Sequence, residues 1–169
     1  MKTLPSLLVF SFYLSTFFFS SCGDKSDILI DEQRSFPNDV WNRVTPETFE
    51  IDVPDASDYF NIDLSVTVDT ALYRYNEMPF YMDIYSPDGT RRHLTPQFLV
   101  KENGRWKGES KDGYREVTSR VQHFFFFNQN GTHRIEVRQA TSQYDLEGIH
   151  SYGIRIEKAD LDLEKIASN

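Results

Sequence analysis

Side chains that can bind a metal ion are scattered along this sequence rather than grouped at the spacing of a metal site. The four histidines contain no pair at ligand spacing: His93, His123, His133 and His150. Asp52, Asp55 and Asp58 follow one another at three-residue intervals, an arrangement that could gather oxygen ligands for calcium. This segment lacks the glycine and the final glutamate of an EF-hand loop, which favours a solvated acidic turn. The sequence therefore predicts neither a metal site nor a bound cofactor.

Residue arrangements typical of an active site are equally hard to find. The sequence has no Gly-x-Ser-x-Gly elbow and no glycine-rich loop for phosphate. Carboxylates that could pair as in a glycoside hydrolase are numerous, with Glu102, Glu109 and Glu116 among them, and their spacing singles out no two. We therefore predict no catalytic residues and no enzymatic activity, and rank a hydrolase below the other function classes.

The only cysteine, Cys22, lies at the end of an apolar N-terminal segment. Lys2 supplies a positive charge, residues 7–19 form an apolar run of about 13 residues, and Ser20 and Ser21 are the small residues that a signal peptidase requires. This run is shorter than the roughly 20 residues of a membrane-spanning helix. Residues 1–21 are therefore predicted to be a cleaved signal peptide. An ordinary signal peptide with an accidental cysteine and an uncleaved anchor are the alternatives.

The segment from Phe19 to Gly23 resembles the lipobox of bacterial lipoproteins. The resemblance implies that the Cys22 thiol is diacylated and that cleavage makes Cys22 the new N-terminus. Two acyl chains suffice for stable anchoring, because each buried methylene contributes about 0.8 kcal/mol. The mature chain is then a lipid-anchored protein of the cell envelope that faces the periplasm, in the inner or the outer membrane.

Alternating apolar and polar residues predict a domain built from strands. The alternation covers residues 49–53, 60–68, 80–85, 91–100, 117–127, 132–139 and 148–158. About eight short strands separated by turn residues, with almost no helical period, indicate an all-β fold: a single antiparallel β-sandwich over residues 31–158.

The flanking segments are expected to be less regular. Residues 22–30 are predicted to be the lipidated N-terminus and a solvated spacer. Phe36 and Trp41 are expected to hold a lead-in segment against the domain, and a binding loop is the alternative for this segment. Residues 159–169 form a tail, for which a short helix capped by Asp160 and a frayed end are both compatible with the sequence.

Four consecutive phenylalanines end the strand predicted at residues 117–127. Successive side chains of a strand point to opposite faces, so Phe125 and Phe127 are expected on one face and Phe124 and Phe126 on the other. Coverage of both faces within the domain and coverage of one face by a partner both satisfy this pattern. We favour burial within the domain, since leaving two such rings in water is unfavourable.

The composition narrows the range of partners. The sequence carries a formal net charge of −8 at pH 7, and such a surface repels phosphate backbones, which excludes nucleic acid. With Cys22 acylated, no thiol remains for a disulfide or for thiol catalysis. The partners that remain are the membrane, through the lipid on Cys22, and other envelope proteins, and no small-molecule substrate is identified.

Two further features point to sugars. The tripeptide Asp69-Thr70-Ala71 resembles the acceptor of the general O-glycosylation system of Bacteroidota, which makes Thr70 a candidate glycosylation site. Five aromatic side chains could present flat rings to a sugar: Tyr73, Tyr75, Tyr81, Tyr85 and Trp106. Cross-strand packing explains such rings equally well. A surface carbohydrate-binding β-sandwich lipoprotein is therefore the alternative function.

Several short motifs follow the lipobox in a distinctive order. They are Phe36-Pro37-Asn38, Trp41, Trp106-Lys107-Gly108, residues 131–140, Leu146-Glu147-Gly148-Ile149 and residues 153–158. In this order they resemble the gliding motility lipoprotein GldH family of Bacteroidota, over nearly the whole mature chain. The resemblance implies a non-enzymatic envelope lipoprotein needed for surface motility or for the associated secretion machinery, and it implies no catalytic residues.

Overall fold

The computed structural model of the protein describes residues 27–160 and contains thirteen strands there. These strands are β1 (Ile28–Ser35), β2 (Val40–Asn42), β3 (Glu47–Val53), β4 (Tyr59–Asp69), β5 (Phe80–Tyr85), β6 (Arg91–Leu94), β7 (Lys101–Glu102), β8 (Arg105–Trp106), β9 (Glu109–Lys111), β10 (Tyr114–Phe126), β11 (Gly131–Gln139), β12 (Asp145–Glu147) and β13 (Ile149–Lys158). The only helical element in residues 27–160 is a 3-10 turn at Pro37–Asp39.

The strands form two principal antiparallel sheets. The first has the order β1-β13-β4-β10-β9, and the second has the order β3-β11-β5-β6. Two small ribbons, β12-β2 and β7-β8, complete the structure. The predicted all-β, sandwich-like fold is confirmed, and the strand count exceeds the predicted eight because several strands are only two or three residues long.

The core lies between the inward faces of the two sheets. On β4, Phe60, Ile62 and Leu64 are buried, as the alternation predicts, and Ile135 and Val137 of β11 are buried in the facing sheet. Large rings close one side of this core: Phe36 stacks on Trp41 at 5.0 Å, and Trp41 packs on Tyr152 at 5.3 Å. The predicted attachment of the lead-in segment by Phe36 and Trp41 is thereby confirmed.

The lead-in segment itself is a strand rather than a loop. β1 begins at Ile28, inside the predicted spacer, and runs antiparallel to β13 as an edge strand of the first sheet. Only Ile30 of β1 is buried, so the segment lacks the apolar alternation by which the other strands are predicted. The strand depends on its partner: Gln33 donates a hydrogen bond to the Ser151 hydroxyl at 2.9 Å.

The outer face of the first sheet carries a row of alternating charges that crosses four strands. The row comprises Asp31, Arg155, Glu157, Arg120 and Asp63. Arg155 pairs with Asp31 of β1 and, at 2.9 Å, with Glu157. Arg120 pairs with Glu157 at 3.0 Å and with Asp63 at 2.7 Å. These carboxylates raise the pKa of both guanidinium groups, so the row stays charged.

The four phenylalanines divide as expected, but the burial prediction is wrong for two of them. Phe125 and Phe127 are buried, whereas Phe124 and Phe126 are 46% and 52% exposed. The register of β10 against β4 shifts between Gln122 and Phe125, and Phe124 has a positive φ of 51°. Among the described residues, the Arg92 guanidinium of β6 lies 4.8 Å from the centre of the Phe126 ring, and about half of each of the Phe124 and Phe126 rings still faces solvent.

The predicted signal peptide, Cys22 and residues 161–169, which include all of the predicted C-terminal helix except its capping Asp160, lie outside the described residues. Within residues 27–160, the chain contains no helix long and apolar enough to cross a membrane.

Candidate functional site

Thr70 occupies a turn that follows β4 and is half-buried. Its backbone N–H and its hydroxyl both donate to the carbonyl oxygen of Gly113, at 3.1 and 2.8 Å. The preceding Asp69 carboxylate accepts the N–H of Ala71 at 2.7 Å, which stabilises the turn. A glycan on Thr70 would replace the hydroxyl hydrogen and break the bond to Gly113, and glycosylation stays a prediction.

The histidines and the acidic loop have structural partners. His133 is fully buried against Phe127, His93 pairs with Asp83, and His150 pairs with Asp39. Within residues 27–160, no three His, Cys, Asp or Glu side chains are grouped so that they could hold a metal ion. In the acidic loop, the Asp55 carboxylate accepts hydrogen bonds from the backbone N–H and the hydroxyl of Ser57, as in an Asx turn. Asp58 forms an ion pair with Lys158.

The five aromatic residues proposed for sugar stacking do not form one row of exposed rings. Tyr73 is buried, and burial raises the pKa of its hydroxyl. Arg134 lies over the Tyr85 ring at 4.0 Å, and Lys101 lies over the Trp106 ring at 4.0 Å. Tyr75 and Tyr81 are exposed, but they belong to different segments of the chain.

The outer face of the second sheet instead gathers a dense set of charged and aromatic residues, which we call the arginine face. It consists of Tyr81, Asp83 and Tyr85 of β5, Arg91 and His93 of β6, and Arg134, Glu136 and Arg138 of β11. Strand register places these side chains on one face, because Asp83 lies opposite both Glu136 and His93.

Two carboxylates form the centre of the arginine face. Asp83 and Glu136 are direct cross-strand partners and only 6% and 8% exposed. Like charges in this relationship repel each other, since their β-carbons lie about 4.5–5.5 Å apart. Cations on either side offset the repulsion and fulfil the hydrogen-bonding capacity of both groups.

Each carboxylate has two side-chain partners. Asp83 lies 3.2 Å from the Arg91 Nε and 2.7 Å from the His93 Nδ1. Glu136 pairs with Arg134 and, at 2.6 Å, with Arg138. Three arginines therefore stand over these two carboxylates, and Glu50 of β3 lies opposite Arg134 in the register, so positive and negative charges alternate across this face.

Aromatic rings border this charged centre. Arg138 lies opposite Tyr81 in the register, and Tyr81 packs against the His93 ring at 5.3 Å. Tyr81 remains 44% exposed. Tyrosine and arginine are the residue types enriched at protein–protein interfaces and at their binding hot spots. The arginine face can therefore bind an acidic protein surface.

A second charged cluster holds the 3-10 turn in place. Asp39 accepts a hydrogen bond from the Tyr114 hydroxyl at 2.9 Å and lies 2.8 Å from the His150 Nδ1. The Asp39 carboxylate raises the pKa of Tyr114, by this hydrogen bond first and by its charge second. Asp39 and Asn38 both have a φ of 56°, so these side-chain bonds stabilise an uncommon backbone conformation.

The sequence of this domain matches a known protein family. Residues 28–156 match the family model described as GldH lipoprotein, which spans both sheets and the arginine face. The chain belongs to the GldH lipoprotein family. The family resemblance found in the sequence is thereby confirmed, and membership of a lipoprotein family associates the chain with a membrane of the cell envelope.

One relative of this GldH-family chain is a protein of Christiangramia forsetii described as "Gliding motility lipoprotein GldH homolog". The two chains are 28% identical over 167 residues, which covers 90% of this chain and 96% of the relative. The similarity therefore includes nearly the whole length of both proteins.

The arginine face of this GldH-family domain was not predicted from the sequence, although one signal was available. Arg134, Glu136 and Arg138 alternate with buried residues of β11, which places all three on one face of that strand. The missing information was the register, because only the pairing of β11 with β5 brings Glu136 opposite Asp83.

Proposed function

We propose that this GldH-family lipoprotein is a non-enzymatic component of the gliding motility machinery and of the secretion machinery associated with it. In this proposal, lipid on Cys22 anchors the protein in an envelope membrane and the domain faces the periplasm. The observation that carries the proposal is the family match over residues 28–156, together with a relative described as a gliding motility lipoprotein.

The arginine face supports a binding role. Asp83 and Glu136 hold the surrounding cations in fixed positions, so little side-chain entropy remains to be lost when a partner binds. The exposed ring of Tyr81 offers apolar area next to these cations. We propose that this face binds an acidic surface of another envelope protein, because the side chains of Arg91, Arg134 and Arg138 stay about half exposed and can pair with carboxylates of a partner.

A non-enzymatic role agrees with the way in which the charged clusters are used. The carboxylates of the arginine face are paired with arginines, and Asp39 is occupied by Tyr114 and His150. These groups hold strands and turns together, which explains their presence without a substrate.

The test is a crosslinking pull-down of the intact lipoprotein from its own envelope. A Cys22→Ala chain serves as the unanchored control. The proposal expects motility or secretion components to be recovered with the anchored chain and to be reduced with the control. Recovery of glycans alone, or of no protein, would contradict a role in the machinery and favour the carbohydrate-binding alternative.

The docking face is tested in the same pull-down with two matched substitutions. Tyr81→Ala removes an exposed ring of the arginine face, and Tyr144→Ala removes an exposed ring that lies elsewhere, next to β12. Loss of an interface hot spot of about 2 kcal/mol or more weakens binding by over tenfold. We expect this loss for Tyr81→Ala only. Equal recovery of partners by both variants would place the docking surface outside the arginine face.

A further inference from the structure

Three exposed aromatic rings lie at one end of the first sheet. Tyr59 begins β4, Phe126 ends β10, and the two residues are cross-strand partners. Tyr59 is 41% exposed, and the more exposed rings of Phe124 and Phe126 lie beside it on the neighbouring strand. We call Tyr59, Phe124 and Phe126 the ring cluster.

The chain enters the domain at this same end. The Asp27 carbonyl accepts the N–H of Lys158 at 2.6 Å, and the Tyr59 carbonyl accepts the N–H of the next residue, Ala159, at 2.7 Å. Asp27 and Tyr59 therefore differ by about one residue, roughly 3.3 Å, along the strand direction. In the strand order, Asp27 and Tyr59 are two strand spacings apart, which is about 10 Å across the sheet. Phe126 is one spacing further, so it lies about 14 Å from Asp27 across the sheet.

The distance from Cys22 to the domain is short. Cys22 and Asp27 are five positions apart, and an extended chain of that length spans at most about 17 Å. Lipid on Cys22 holds that residue at the bilayer surface, and this step rests on the anchor proposed above. Asp27 therefore lies within about 17 Å of the bilayer surface, and the ring cluster lies at that same end of the domain.

Charge at this end determines which lipids the rings can meet. Asp27, Asp58 and Asp160 are acidic, Lys158 is engaged by Asp58 at 2.7 Å, and the Arg92 guanidinium lies 4.8 Å from the centre of the Phe126 ring, so three carboxylates stand against two cations. This balance gives no attraction to anionic headgroups. Aromatic rings, in contrast, favour the interfacial layer between the headgroups and the acyl chains of a bilayer. The chemistry of this end fits a zwitterionic lipid surface.

We propose that Tyr59, Phe124 and Phe126 insert into the interfacial layer of a zwitterionic bilayer and form a second attachment beside the lipid on Cys22. The rings lie on or beside the outer face of the first sheet, at its end. The arginine face is the outer face of the second sheet, and β6, which carries Arg91 and His93 of that face, also supplies Arg92 beside the Phe126 ring. The lipid anchors the chain, and the rings add a second attachment that also fixes the orientation of the domain.

The experiment uses the lipidated full-length chain in phosphatidylcholine vesicles that contain bromine-labelled acyl chains, which quench tryptophan on contact. Phe126→Trp reports on the ring cluster, and Tyr59→Trp is a second reporter in the same cluster. Tyr144→Trp is the control. Tyr144 precedes β13, and the ring cluster lies near the end of β13 at Lys158, roughly 30 Å away along the strand. The unsubstituted chain gives the background from Trp41 and Trp106.

The proposal expects bromine-labelled lipid to quench both cluster reporters and to leave the Tyr144→Trp emission unchanged. Raising the salt concentration is expected to have no effect, because the contact is not ionic. In addition, a chain with Phe124→Ser and Phe126→Ser is expected to leave the vesicles for acceptor vesicles at least about tenfold faster than a Tyr144→Ser chain, a change of about 1.4 kcal/mol in barrier.

Other outcomes would overturn the proposal in distinguishable ways. Failure of the unsubstituted chain to float with vesicles would contradict the lipid anchor, and with it the ring insertion. Flotation without quenching of the cluster reporters would contradict ring insertion alone. If the emission of the cluster reporters changed with the amount of protein per vesicle and was the same with and without bromine-labelled lipid, a second copy of the chain would be covering the rings.

Discussion

Gly108 provides the sharpest test of how the turn-rich segment after β6 packs against the first sheet. Gly108 has a φ of +70°. A Cβ added there would collide with the carbonyl oxygen of Glu116, and it would lie 2.8 Å from the Glu116 carbonyl carbon and 3.0 Å from the Val117 Cα. All of these atoms belong to the backbone of β10, which cannot move without disturbing its pairing with β4. Gly104 is a matched control, because its φ is +73° and no atom lies within 4 Å of an added Cβ.

The two glycines separate two contributions to stability. An L-residue in the left-handed region costs about 1–2 kcal/mol, and Gly104→Ala should lower the free energy of unfolding by this amount alone. Gly108→Ala adds overpacking, typically about 1–3 kcal/mol, for a total of about 2–5 kcal/mol. With a urea m-value of about 2 kcal/mol/M, the expected falls in midpoint are about 0.5–1 M for Gly104→Ala and about 1–2.5 M for Gly108→Ala.

Urea unfolding of the mature chain with Cys22→Ala measures these values without the complication of lipid. Fluorescence of Trp41, which is only 1% exposed, reports on loss of the core. Unchanged m-values would show that the variants differ in stability rather than in the denatured state. Equal midpoints for the two variants would refute the close approach of Gly108 to β10.

Three other substitutions test the buried and polar contacts. Tyr152 is fully buried and its hydroxyl has no hydrogen-bond partner within residues 27–160, so Tyr152→Phe should raise the free energy of unfolding by about 1–3 kcal/mol at neutral pH, and a fall would contradict this. Burial raises the pKa of Tyr152, so above about pH 10 the tyrosine ionises in the unfolded chain but not in the folded one, and the free energy of unfolding falls as the pH rises further. Tyr152→Phe should reduce this alkaline loss in urea titrations. Glu136→Ala should lower the unfolding free energy by about 1–3 kcal/mol and Glu136→Gln by less, because glutamine still accepts hydrogen bonds and no longer repels Asp83; the reverse order in thermal unfolding would be inconsistent with the pairing. Glycosylation of Thr70 predicts that a Thr70→Val chain from the native envelope lacks a glycan-sized mass, and masses that differ only by the substitution would exclude it.

Strands that bury one face completely were predictable from the sequence. β3, β4, β11 and β13 carry apolar residues at alternate positions, and each lies close to its predicted range. β1 was not predicted as a strand, because it is an edge strand with one buried residue and its stability comes from pairing with β13. A pattern within one segment cannot indicate such a partner.

The candidate site shows the same limit. The alternation places Arg134, Glu136 and Arg138 on one face of β11, but their meeting with Asp83 depends on strand register. The exposure of Phe124 and Phe126 depends on a bulge in β10, which arises where two residues face one on β4. Both features are tertiary in origin, so the local sequence contains only part of the information.

The pairing of β1 with β13 also has a mechanical consequence. β1 is the first strand of the described residues, so with the anchor proposed on Cys22 a pull between the membrane and a bound partner would enter the domain at Asp27 and load this strand along its length. Such a load shears the seven register pairs with β13 together instead of opening them one at a time. The ion pair between Arg155 and Asp31 resists the same displacement. A domain attached in this way can transmit force without unravelling from its anchored end.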